Sequence, residues 1–250
     1  MQLERKITGK MAAILALESI TKSFGALKVA DGITLSVAEG ETLGILGPNG
    51  AGKTTLFNLI SGDLRADSGR VVFSAEDVTL HPPHRRCRLG IGRSYQIPQP
   101  FGAMTVFENL VAAASFGAGR AEKDTYGHAV EILRETGLLS KANRLAASLT
   151  LLDRKRLELA RALATKPKVL LLDEIAGGLT EHEAGELVEE IRRIKSQGVT
   201  MIWIEHVVHA LLAVADRLFV INFGQKLAEG APGAVMNDPE VKRVYMGLEA

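Results

Sequence analysis

Cysteine and tryptophan occur once each in the 250 residues, as Cys87 and Trp203, and aromatic residues make up 5% of the chain. A single cysteine cannot close an internal disulfide, which excludes a disulfide-stapled scaffold and fits a reducing compartment. Charge of one sign is also lacking. Against 30 Lys and Arg stand 29 Asp and Glu, so the formal net charge is +1 and no basic field invites nucleic acid. No apolar run approaches the roughly 20 residues that cross a bilayer as a helix. The longest, such as Val169 to Leu172 and Thr200 to Ile204, are strand-sized. Met1 to Lys10 is basic and polar, and the apolar stretch from Met11 to Leu17 is short. Glu18 follows without a small-residue cleavage pattern, so no secretory signal is expected. Residues 1–12 read as a flexible extension, with Met11 an alternative start. Internal repeats and low-complexity segments are missing as well.

What is there is an ordinary folded composition, 46% hydrophobic and 24% charged, of a length that suits one α/β domain spanning residues 1–250. The first part is rich in short strands. Ile33, Leu35 and Val37 alternate with polar residues, as a half-buried strand requires. Thr42 to Leu46 reads as a buried strand, and a helix is expected from about Lys53 to Ile60, ended by Ser61-Gly62. The middle turns helical, which predicts an inserted helical subdomain over about residues 101–165. Thr105 with Glu108 forms a capping box; helices are expected over Glu122–Thr136, stopped by Gly137, and over Asp153–Thr165, stopped before Pro167. Alternation then resumes. Val169 to Asp173, Thr200 to Ile204 and Leu218 to Ile221 read as strands. Glu183 to Gln197 reads as an amphipathic helix with Leu187, Val188, Ile191 and Ile194 on one face. Strands alternating with helices imply a mostly parallel sheet, whose ligands lie at the carboxyl ends of its strands.

Gly47-Pro48-Asn49-Gly50-Ala51-Gly52-Lys53-Thr54 matches the phosphate-loop pattern in full, with a strand before it and a helix after it. Glycines let backbone N–H groups turn inward around phosphate oxygens, and the helix N-terminus adds the positive end of its dipole. Lys53 would supply a cation to the β and γ phosphates, the Thr54 hydroxyl would ligate Mg²⁺, and Thr55 would cap the helix or touch phosphate. Val169-Leu-Leu-Leu-Asp-Glu174 is the natural second half. Its apolar run buries a strand and delivers two carboxylates to its end, Asp173 for the metal and Glu174 for the attacking water. His81, His84 and Cys87 invite comparison with a metal site, but Pro82-Pro83 breaks the spacing. Arg85, Arg86 and Arg88 read as a solvated or interface-facing basic face.

With these residues in place, the chain from about Ile14 onward resembles the ABC transporter ATPases, P-loop NTPases with a mostly parallel core, an antiparallel β part and an inserted helical block. Within them it is most similar to the ATPase subunits of branched-chain amino acid importers. Gly47 to Gly62, Leu80-His-Pro-Pro-His-Arg85, Arg93-Ser-Tyr-Gln-Ile-Pro-Gln-Pro-Phe101, Met104-Thr-Val-Phe-Glu-Asn-Leu110 and the tail from Ala228 to Gly247 carry the likeness. The resemblance implies a motor that binds and hydrolyses ATP with Mg²⁺. It places an adenine-stacking aromatic at Phe24, for which a core role is an equal alternative. It gives Gln96, with Gln99 as a nearby rival, the place that reaches metal and water, and His206 the contact to the γ phosphate. Transmembrane permease subunits, a second ATPase subunit and, indirectly, a solute-binding protein are the implied partners, with the chain peripheral on the cytoplasmic face of the membrane.

The likeness breaks at the segment that in this family reads Leu-Ser-Gly-Gly-Gln. Here it is Leu149-Thr-Leu-Leu-Asp153, so Leu151 and Leu152 replace small residues where a partner's nucleotide should come close. Ile175 replaces a usual proline, and Gly178-Leu-Thr-Glu181 lacks a common aspartate. The altered signature predicts a chain that works at its own phosphate loop and serves poorly as signature donor. A heterodimer with unequal sites is therefore favoured over a homodimer. It also keeps a second reading open, an ATP-binding regulatory subunit with weak turnover. An exporter motor is a third, because the motor half says little about direction.

Overall fold

The computed structural model describes residues 13–246. The expected extension over residues 1–12 lies outside the described residues. Two sheets make the framework. In the first, β1 (Ala13–Phe24), β2 (Leu27–Ala38), β4 (Ser68–Phe73) and β5 (Glu76–Asp77) are arranged antiparallel in the order β2-β1-β4-β5. In the second, β3 (Thr42–Leu46), β6 (Ile91–Arg93), β7 (Val169–Asp173), β8 (Thr200–Ile204), β9 (Arg217–Asn222) and β10 (Gln225–Gly230) run in the order β10-β9-β3-β8-β7-β6. All its pairs are parallel except β9 with β10.

The central strands show why their sequences are apolar throughout. Side chains of a strand alternate between faces, and here both faces are covered. Leu170 and Leu172, Met201 and Trp203, Leu218 and Val220 enter one apolar cluster with the helices. Their neighbours Val169 and Leu171, Ile202 and Ile204, Phe219 and Ile221 enter the other, with the antiparallel sheet and α1 (Lys53–Ser61). A continuous apolar run is what a parallel strand between two layers needs.

Between β6 and β7 the chain forms α3 (Val106–Ala112), α4 (Tyr126–Glu135) and α5 (Leu151–Ala164). The expected capping box is present: Thr105 accepts from the Glu108 amide, and Glu108 accepts from the Thr105 amide at 2.7 Å. The helix expected from Glu122 is instead broken. A tight turn over Glu122–Asp124 precedes α4 because the Thr125 hydroxyl and amide both donate to the Glu122 carbonyl, at 2.6 and 2.9 Å. That local bond competes with helix continuation. Further on, α6 (Glu181–Ser196) is capped by Thr180 and buries Leu187, Val188, Ile191 and Ile194. Behind it α7 (Val208–Leu212), α8 (Pro232–Asn237) and α9 (Pro239–Met246) complete the layer.

One expectation is overturned outright. Arg85 and Arg88 are exposed, but Arg86, on α2 (Pro83–Leu89), is 2% exposed. Its guanidinium donates to the carbonyls of His81, Leu59, Ile60 and Thr79 at 2.6 to 2.9 Å. Leu59 and Ile60 lie in the last turn of α1, whose final carbonyls have no intrahelical donor. A buried cation there satisfies them and meets the negative end of the helix dipole.

Candidate functional site

The loop between β3 and α1 is fixed by close backbone approaches. A Cβ at Gly47 would stand 2.4 Å from the Ile221 carbonyl oxygen; one at Gly52, where φ is +105°, would stand 2.3 Å from that of Val29. Only glycine fits either place. α1 then starts at Lys53 without a side-chain cap and without an acidic residue in its first turn, so its first amides are left for an anion. They face a cleft of about 370 Å³ lined by Asn49 to Thr55, with Leu27 and Val29 on one side and Glu174 on the other. The Pro48 carbonyl accepts the Ala51 amide and closes the turn. Lys53 is 5% exposed, and its ammonium donates to the carbonyls of Gly47 at 2.6 Å and Pro48 at 3.0 Å. Burial lowers its pKa, while Glu174 and Asp173 pull it back up.

Strand order gathers the remaining candidates. β6, β7 and β8 are neighbours, and their carboxyl ends lead to Gln96, to Asp173 and Glu174, and to His206. His206 Nε2 lies 2.7 Å from Glu174 Oε1, and the Gln96 amide donates to Glu174 Oε2 at 2.5 Å. One carboxylate is thus held from both sides at the edge of the phosphate-loop cleft. Glu174 sits at φ +45°, a left-handed conformation that a residue with a Cβ adopts at a cost of about 1–2 kcal/mol. Its amide donates to the Ile204 carbonyl at 2.9 Å, which keeps the turn in place.

Asp173 is buried and its pKa is raised, chiefly by that burial and against the pull of Arg93. Arg93 Nη2 donates to Asp173 Oδ2 at 3.0 Å, while the other carboxylate oxygen is buried with no hydrogen-bond partner among the described residues. Thr54 is exposed on the wall of the same cleft as Asp173 and Gln96. An orphaned carboxylate oxygen with a threonine hydroxyl nearby is a hard oxygen donor set that fits Mg²⁺.

Of the remaining candidates, Gln99 lines the cleft of Thr54, Gln96 and Asp173, while Phe24 and Cys87 line neither that cleft nor the one at the phosphate loop. Phe24 is 53% exposed at the end of the β1–β2 hairpin, with the Lys22 ammonium 5.7 Å from its ring centre. The core alternative for it therefore falls, although its partner Leu27, not Phe24 itself, lines the cleft. Gln99 contributes its carbonyl, at 3.0 Å, to Arg161. Cys87 Sγ lies 3.9 Å from the Gly117 carbonyl.

Sequence reasoning missed three side chains here. Arg93 lay inside a quoted motif without a role; it is wedged between Phe57 and Tyr95 and also donates to Asn58 and Asp63, at 2.7 and 3.1 Å. Lys155 is buried and donates to the Gln96 carbonyl at 2.6 Å. Its signal was a cation on the helix face of Leu152 and Leu159. Glu205 is 1% exposed; burial first, and then Glu174, push its pKa up to about 8, against the pull of Lys155.

The altered signature is resolved by geometry. Thr150 caps α5, accepting from the Asp153 amide at 3.3 Å. Leu152 turns inward, 8% exposed, and joins the helical core; Leu151 is the one at the surface, 45% exposed. The bulk expected to obstruct a partner at residue 152 is therefore directed away from the surface. Ile175 likewise is fully buried, filling core where proline was expected.

Comparison with known proteins agrees with this geometry. Residues 30–177 match the family model described as ABC transporter, and residues 225–250 match the model described as branched-chain amino acid ATP-binding cassette transporter. The lipopolysaccharide export system ATP-binding protein LptB of Haemophilus influenzae is 36% identical, over 94% of this chain and 98% of its own. The high-affinity branched-chain amino acid transport ATP-binding protein BraF of Pseudomonas aeruginosa is 35% identical over the same shares. A solved ATP-binding cassette of an ABC transporter in its ADP conformation superposes with a TM-score of 0.86 at 35% identity, covering 95% of this chain and 100% of its own. A phosphate loop on a parallel sheet, a paired aspartate and glutamate two strands away, and matches along nearly the whole chain lead to one conclusion: this protein belongs to the ABC transporter ATPases, the ATP-hydrolysing motor subunits that work with transmembrane permeases.

Proposed function

We propose that this chain drives the import of branched-chain amino acids or related small polar solutes by hydrolysing Mg-ATP at its own phosphate loop. The observation that carries the chemical part is the convergence of His206 and Gln96 on Glu174 beside that loop. Phosphoryl transfer needs positioning and charge neutralisation more than covalent chemistry. The amides of Gly50 to Thr55 and the Lys53 ammonium cradle the phosphates. Thr54 and Asp173 would hold Mg²⁺, with Gln96 reaching it; when bound, the ion neutralises charge developing between the β and γ phosphates. Glu174 accepts a hydrogen bond from the attacking water and aligns it. His206 and Gln96 fix both carboxylate oxygens, and His206 is placed to reach the γ phosphate. Phe24, on the exposed hairpin, would stack on the adenine.

The substrate class rests on the match of residues 225–250 and on the likeness to BraF. The similarity to LptB favours an exporter reading as the competitor. No helix among the described residues is long and apolar enough to cross a membrane, so translocation falls to permease subunits. A second ATPase subunit and a solute-binding protein would complete the assembly, with this chain on the cytoplasmic face. We place the permease contact on Gln96 to Phe107, where Phe101 is 52% exposed under Arg161 and its backbone is clasped by Asn109. The deciding experiment reconstitutes the chain with its co-purified partners in vesicles. ATP-dependent leucine accumulation, lost on Lys53→Ala and uncoupled from ATP binding on Phe101→Asp, is expected. Lipopolysaccharide extraction without leucine uptake would assign the exporter role instead.

A further inference from the structure

Among the described residues the last helix, α9, reaches back to the first glycine of the phosphate loop, 198 residues earlier in the chain. The Tyr245 hydroxyl accepts the Gly47 amide at 2.7 Å and donates to the Gly47 carbonyl at 2.9 Å. Gly47 is where β3 leaves the sheet, so its peptide groups have lost their ladder partners. The approach to the Ile221 carbonyl excludes a side chain at residue 47 that could replace them. The Gly47 carbonyl also accepts the Lys53 ammonium at 2.6 Å. Both of its lone pairs are then used, one by the cation that serves the phosphates and one by the phenol that holds the peptide. The hydroxyl is delivered by a firm element. Asp238 caps α9 by accepting the amides of Glu240 and Val241, and Val241 is buried in the apolar cluster of Leu46, Val220 and Val235.

We propose that Tyr245 is a positioning residue for the phosphate loop: docking of α9 sets the Gly47 peptide, the peptide aims Lys53, and the C-terminal helix is thereby coupled to nucleotide affinity. The coupling is reciprocal, because a helix that favours the nucleotide-binding loop must itself be favoured by bound nucleotide to the same degree. The inference rests on the phosphate-loop reading above and extends it to a residue outside the motif. Burial pushes the Tyr245 phenol pKa up, although the Gly47 bond opposes the rise, so the donor persists across the neutral range.

The test uses the full chain and Tyr245→Phe, which removes the hydroxyl and keeps the ring. ATP and ADP titrated by calorimetry should bind roughly 5- to 30-fold more weakly, as two modest hydrogen bonds predict, while kcat at saturating ATP should fall by less than the affinity does, because Glu174, His206 and Gln96 keep their places even as Lys53 loses part of its aim. In the parent, ADP should slow amide exchange across residues 239–246, and Tyr245→Phe should abolish most of that protection. Val241→Ala, which loosens docking and leaves the hydroxyl in place, should weaken both nucleotides in the same direction. A purely structural role would lower the melting temperature with nucleotide affinity unmoved, and that result overturns the proposal, as does exchange across α9 indifferent to ADP. Lys53→Ala separates the two readings. If it too leaves affinity unchanged, the phosphate-loop assignment itself has failed.

Discussion

Replacing Arg86 with methionine tests whether the phosphate-loop helix is held from behind. The substitution keeps most of the buried apolar stem and deletes a guanidinium that donates four hydrogen bonds, all to backbone carbonyls. Taken singly, bonds from a charged donor contribute about 1.5–3 kcal/mol each. Their sum overstates the loss, because burying the cation was itself costly; that cost is visible in a pKa pulled down to about 10. Leaving a buried acceptor without its donor costs about 1–3 kcal/mol, and with the cation's desolvation cost relieved a net loss of about 3–5 kcal/mol is expected. Here the orphans include the carbonyls of Leu59 and Ile60 at the end of α1. In a domain of this size about 1 kcal/mol moves the melting point by about 2–4 °C, so a fall of roughly 6–20 °C is expected in calorimetry of the nucleotide-free protein. Arg86→Lys should recover only a small part, since one ammonium cannot span four carbonyls. A melting point within 2 °C of the parent for Arg86→Met would refute the reasoning.

Other expectations follow from the site. Glu174→Gln should bind ATP with near-parental affinity and lose hydrolysis by about a hundredfold or more, read by phosphate release; parental turnover would remove Glu174 from the mechanism. Glu205 gives stability a pH dependence. The folded state keeps its proton between about 4.5 and 8 while the unfolded chain releases it, so unfolding free energy should fall as pH rises through that window and level off above it. At about 1.4 kcal/mol per pKa unit the upper limit is roughly 5 kcal/mol, and Glu205→Gln should flatten the curve in denaturant titrations. Leu151→Gly should raise ATPase activity that depends on subunit pairing without loss of core. Leu152→Gly should lower the melting point instead, because it empties a buried site. Equal behaviour of the two variants would contradict the assigned orientations.

The sheet was legible because each central strand is a short apolar run closed by a glycine, a carboxylate or, at Asn222, a carboxamide, and the phosphate loop because its glycine spacing sits between strand and helix. The gathering of Gln96, Glu174 and His206 followed from a resemblance; the structure supplies its physical reason, adjacent strands with aligned carboxyl ends. Other features were hidden for nameable causes. Arg86 shares a run with two exposed arginines, and composition cannot tell the one that turns inward. Leu151 and Leu152 look alike until the cap at Thr150 sets which faces the core. Tyr245 meets Gly47 only through tertiary docking, and no local spacing encodes that distance. The break at Thr125 escaped because a hydroxyl competing for a carbonyl leaves little trace in hydrophobic periodicity.

The backbone at Glu174 carries a wider consequence. A glutamate held in left-handed geometry is a place where foldability and turnover pull in opposite directions. Glycine there would relax the torsion and discard the carboxylate. Populations of variants screened for heat resistance alone would therefore drift toward glycine or asparagine at this position and arrive at sturdier proteins that grip ATP without splitting it. A glutamate at an unfavourable torsion is what a site arranged for turnover rather than for stability would carry.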